Sequence, residues 1–105
     1  MRGSVIRYEP YQVLARSNST NAYGEEIESY APESWLQLHV QPVSAKNAEY
    51  GGLLGFKVTL EAYTVAPVTL STRDNRIRLG GTDYHIREIR AWPTHSELLL
   101  EEVIV

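Results

Sequence analysis

A chain of 105 residues is long enough for one hydrophobic core and too short for two, since single cores span ~100–150 residues. With 43% hydrophobic against 22% charged residues and a formal net charge of -3, the composition excludes a wholly disordered chain and argues against a protein whose main task is neutralising phosphate. The absence of cysteine excludes a disulfide scaffold, a thiolate metal cage and a thiol nucleophile.

No apolar run approaches the ~18 residues a bilayer span requires, and the opening MRGSVIRYEP lacks the apolar segment of a secretory signal. The expectation is a protein made and kept in a cytoplasm, with no membrane contact and with Met1 to Ser4 a flexible or vector-derived leader. Val5 to Arg16, VIRYEPYQVLAR, mixes β-branched, aromatic and polar residues without helical period. It predicts a first strand with Pro10 at an edge or bulge. Ser17 to Ser34, SNSTNAYGEEIESYAPES, is rich in Ser, Asn and Glu and carries Gly24 and Pro32 as breakers, so a long loop is expected there. Asn18-Ser19-Thr20 fits a glycosylation acceptor on paper, a chance match in a chain without a secretion signal.

WLQLHVQP follows, with Leu36, Leu38 and Val40 alternating against Trp35, Gln37, His39 and Gln41, the period of a half-buried strand that Pro42 ends. Ser44 caps a short helical turn through Lys46, Ala48 and Tyr50, which the glycines of GGLLG then terminate. Phe56, Val58, Leu60 and Ala62 face inward on the next strand, and Lys57, Thr59, Glu61 and Tyr63 face outward. In RIRLGGTDYHIREI, Gly80-Gly81 favours a two-residue primed turn. That turn pairs Leu79 with Thr82, Arg78 with Asp83, Ile77 with Tyr84 and Arg76 with His85. The step from Ile86 to Ile89 requires a bulge near Arg87, and the last strand is Glu97 to Val105. The sum is a single all-β domain over 1–105: a small barrel or sandwich of about six antiparallel strands, with one short helical turn and a long loop. A closed barrel is preferred, because closure protects edges that the chain does little to guard with lysine.

Chemistry is sparse. His39, His85 and His95 have no helical i, i+4 spacing, so a metal site would need assembly across strands, and neither metal nor cofactor is expected. Asp83 and His85 share one face and could orient an imidazole, yet no nucleophile motif accompanies them; Asp83 is accounted for as the partner of Arg78, and no enzyme is expected. Arg76, Arg78 and Arg87, with His85, form a basic stripe. It is open to a nucleic-acid reading, but Tyr84 points into the core and not out as a stacking platform. Between Arg16 and Lys46 there is no basic residue but four acids, Glu25, Glu26, Glu28 and Glu33. The loop also carries Tyr23, Ile27 and Tyr30. Structureless connections beyond ~12–15 residues are uncommon unless functional or disordered. The segment Tyr23, Gly24, Glu25, Glu26, Ile27, Glu28 and Tyr30 is therefore the candidate protein contact, expected to be mobile until a partner orders it.

The order of these features resembles the head-tail adaptor or head-completion family of tailed bacteriophages, from about Tyr11 onward. The match is carried by Trp35 with Val40-Gln41-Pro42 and Ser44-Ala45, and by Asp74-x-Arg76-Ile77 through Gly81-x-x-Tyr84-x-Ile86-x-x-Ile89. The resemblance implies a small β-barrel, assembled in the bacterial cytoplasm, that forms a homo-oligomeric ring in the virion neck. It would lie between portal or adaptor ring and tail proteins, in head completion, head-tail joining and channel closure, with DNA passing through and not bound by sequence. The loop is then the closure or assembly element, and Arg76, Arg78 and Arg87 are the ring-contact face that answers it. A tail-terminator or other tail-ring role is the alternative within the class. A nucleic-acid-binding barrel using the same arginines is the alternative outside it.

Overall fold

The alternation of apolar residues along the chain favours pleated strands whose one face must be hidden, and six such strands hide it by curling into a cylinder. The computed structural model describes residues 7–104. Within them run β1 (Glu9–Thr20), β2 (Glu26–Pro42), α1 (Ala45–Leu53), β3 (Leu60–Thr64), β4 (Asn75–Leu79), β5 (Thr82–Ala91) and β6 (Ser96–Glu102). All neighbours are antiparallel, in a closed barrel of order β1-β2-β3-β6-β5-β4. Closure is made by β4 pairing with β1 from Gln12↔Arg78 to Ala15↔Asn75. Because β3 and β4 are not neighbours, the connection between them crosses over, and its Leu70 packs against the core.

The core is the inward set Val13, Leu38, Ala62, Ile77, Ile86, Leu98 and Leu100. Leu99 is buried too, but on the outer face, flanked by its partners Glu61 and Glu88. The Gly80-Gly81 turn has φ of 56° and 87° and sets the expected register, Leu79↔Thr82 through Arg76↔His85. The bulge falls between Ile86 and Glu88, so Ile86 and Ile89 both face inward.

Five expectations are corrected. The segment Ser17 to Ser34 is not a loop: its two halves continue β1 and β2 as one hairpin, paired from Ser17↔Ser29 to Thr20↔Glu26, and only the tip turns. Ser, Asn and Glu are poor strand formers, but the backbone ladder, the Ser17–Ser29 hydroxyl contact at 3.1 Å and the Arg16–Glu28 ion pair at 3.0 Å hold them extended. The helix does not stop at the first glycines but runs through Gly51 and Gly52 to Leu53. The third glycine ends it: Gly55, at φ 86°, donates to Gly52 O while Phe56 N donates to Gly51 O, the paired bonds of a Schellman cap.

The strand expected from Phe56 begins only at Leu60, because Val58 turns aside to pack against Gly51. The first strand starts at Glu9 and continues to Thr20 instead of ending at Arg16; Val5 and Ile6 lie outside the described residues, as do the leader positions 1–4. The last strand spans Ser96–Glu102, with Val105 likewise outside. Pro10 pairs with Gln37 of β2 before the β4 ladder begins. It therefore sits where one side of the strand has no partner, as proline requires. The β1–β2 irregularity lies instead at Val13/Leu14.

Candidate functional site

Beyond Ala15 the β1–β2 hairpin leaves the barrel as an arm, giving a molecule of 63 × 30 × 26 Å. Its tip is fixed by Asn21, whose side-chain oxygen accepts from Tyr23 N at 2.8 Å and Glu25 N at 2.9 Å. Asn21 Nδ2 donates to Glu25 Oε1 at 3.1 Å, and Gly24, at φ 79°, completes the turn. Tyr23 is 89% exposed and Ile27 43%. Glu25 and Glu26 are exposed and have no cation partner among the described residues.

At the root of the arm the acidic and basic segments meet within one chain. Glu28 pairs with Arg16, which also reaches Asp74 at 3.1 Å. Tyr30 donates its hydroxyl to Arg73 O at 3.0 Å, and its ring lies 3.7 Å from the Arg76 guanidinium carbon, a cation–π stack. Leu14, opposite both Pro32 and Arg76, is fully buried beside this group.

The three arginines of the basic stripe have different fates. Arg78 takes Asp83 in a two-point grip at 2.7 and 3.3 Å, and Arg87 takes Glu101 at 2.7 Å. Arg76 has no ion pair among the described residues, and its Nε is buried without a hydrogen-bond partner. His85 stands opposite Arg76 on one side and Glu101 on the other. Burial, then the guanidiniums of Arg87 and Arg76, hold its imidazole below the ordinary value against the pull of Glu101, so it is neutral near pH 7. Asp83 is engaged by Arg78 and makes no hydrogen bond to His85. Among the described residues no three His, Asp or Glu side chains gather as metal ligands. His39 instead contacts Arg7 O and Gln41 and joins a row of rings, Tyr8, His39, Tyr63, His95 and Trp92, whose successive centroids lie 6.3 to 6.5 Å apart.

One cluster had no signal in the sequence. Under α1 lie Glu61 and Glu97, both buried. Glu61 accepts from Ser44 N at 2.5 Å, Asn47 Nδ2 at 3.4 Å and the Tyr63 hydroxyl. Arg90 ties Glu88, Asn47 and Glu97 together at 2.8, 2.9 and 3.4 Å, and Tyr50 donates to Glu88 at 2.8 Å. Every member is satisfied from within the chain, so the cluster clamps the helix to the barrel. A separate open pocket of about 250 Å³ lies between Pro10, Trp35, Arg78 and the Gly80-Gly81 turn.

No family model matches the chain, and no curated protein matches it. Four solved chains do. One is the solution structure of protein SF1141 from Shigella flexneri 2a, with a TM-score of 0.72 and 19% sequence identity over 95% of this chain and 96% of that one. At that identity the likeness is one of overall fold alone.

Proposed function

We propose that the protein is a structural, non-enzymatic neck component of a tailed phage or prophage, a ring subunit between portal and tail. The observation that carries this reading is the arm: a paired hairpin, acidic and aromatic at its tip, standing off a closed barrel that bears arginines on its wall. The barrel itself has no sheet edge with which to polymerise, which leaves the arm and the side-chain faces as the surfaces through which copies would meet. Unlike flanks are what a closed heterologous ring needs. The resemblance in Trp35 to Ala45 and Asp74 to Ile89 points the same way.

A nucleic-acid-binding barrel takes second place, since two of its three arginines are already neutralised by Asp83 and Glu101. It would require salt-sensitive DNA affinity that falls when Arg76, Arg78 and Arg87 become alanine. Cryo-microscopy of a virion containing the protein decides the main reading. Ring density between portal and tail is expected, and density only at the distal tail would overturn it.

A further inference from the structure

We propose that the arm tip of one copy, through Glu25 and Glu26, docks on Arg76 of the next copy of the same chain. This rests on the ring reading and names its contact. Arg76 is the incomplete group of the basic face: Arg78 and Arg87 each hold a carboxylate, whereas Arg76 is half-buried against Tyr30 with no ion pair among the described residues and an unbonded Nε. A partly desolvated guanidinium without an anion is a costly arrangement that a carboxylate relieves. Its planar fork can donate to two carboxylate oxygens side by side.

The tip supplies the missing charge. Glu25 and Glu26 are exposed carboxylates without a cation, held on a turn that Asn21 has already ordered, so docking costs little conformational entropy. Tyr23 beside them offers an exposed ring.

The fold excludes the contact within one chain. Arg76 lies opposite Leu14, and the paired strands carry the tip beyond Thr20, about 20 Å further on at ~3.4 Å per residue. A ladder paired along that length keeps the tip away from its own Arg76, so a tip that docks there comes from another copy. A tip-to-flank contact is heterologous and propagates around a ring.

The cysteine-free sequence permits a direct test on the full chain. Tyr23→Cys and Arg73→Cys, combined in one chain, place thiols at the tip and next to the Arg76–Tyr30 stack. Under mild oxidation this protein should form a ladder of disulfide-linked oligomers, well above a control combining Tyr23→Cys with Lys57→Cys. Adding Glu25→Lys and Glu26→Lys, which touch nothing in the core, should cut the yield about tenfold; adding Arg76→Glu as well should restore it. Yield no higher than the control, or yield indifferent to reversal of the tip charges, overturns the proposal. Failure of the ring reading looks different. Open linked chains with no density at a virion neck would sink the ring and leave this contact standing; a neck ring whose subunits do not link positions 23 and 73 would do the reverse.

Discussion

Glu61 is the residue on which the helix side of the molecule turns. It is 2% exposed and accepts from Gln41, Ser44, Asn47 and Tyr63. Burial alone would push its carboxyl up, but the donors outweigh it and hold the group below its ordinary value. The folded protein thus binds this proton more weakly than the unfolded chain does. The stabilisation is complete above the usual carboxylate range near ~4.3 and is lost as pH falls through the lower folded value. Glu101, held down by Arg87 and Lys57 N against its own burial, acts with the same sign. Thermal melts between pH ~3 and ~5 should show stability falling with acid, and Glu61→Gln should flatten that slope while lowering the midpoint at pH 7. Glu61→Ala, which strands the Ser44 and Tyr63 donors, should cost about 3 kcal/mol by chemical denaturation. The alternation of Phe56 to Tyr63 places Glu61 on the face away from the core, as found. What alternation cannot carry is that a helix covers that face. Burial of an outward residue is set by what packs on it from elsewhere in the chain.

Among the elements, the β4–β5 hairpin was fully legible and the arm was not, for one physical reason. A two-glycine turn with both φ positive fixes register by local geometry alone, so Arg78 and Asp83 had to meet. The arm is held by a ladder between residues whose own preferences are for loops, and pairing of that kind is visible only when both strands are. The helix shows the same limit in its glycines, which local propensity treats alike and tertiary structure does not. A Cβ on Gly51 would lie 2.7 Å from Val58 Cγ2, a buried β-branched side chain with little freedom to yield; Gly51→Ala should therefore lower stability by about 1–2 kcal/mol. A Cβ on Gly52 meets nothing within 4 Å, and Gly52→Ala should raise stability by about 0.5–1 kcal/mol through helix propensity. Paired denaturation curves check the contrast, and equal effects at the two sites would mean the helix does not pack as described.

At the scale of the whole molecule, the core and the arm are separable. The core cluster draws on β1 only as far as Val13 and on β2 only from Leu36 onward, and no residue from Ser17 to Ser29 enters it. The closing β1–β4 ladder ends at Ala15. The distal hairpin therefore adds ordered backbone without burying apolar surface in the barrel, and an isolated two-stranded hairpin is only marginally stable by itself. Its unpaired outer edges carry Glu26 and Glu28, which discourages edge-to-edge aggregation; Glu28 is held by Arg16, while Glu26 is left free to meet a neighbour. Replacing residues 18–28 with a tight Asn-Gly turn should accordingly leave a cooperative melt, its midpoint within about 5 °C of the parent. The same protein should lose ring formation on portal complexes when these are imaged or weighed by native mass spectrometry. A barrel that unfolds on shortening would show that the arm belongs to the core. A shortened protein that still closes rings would show that copies meet through the barrel walls, with the arm free for another task.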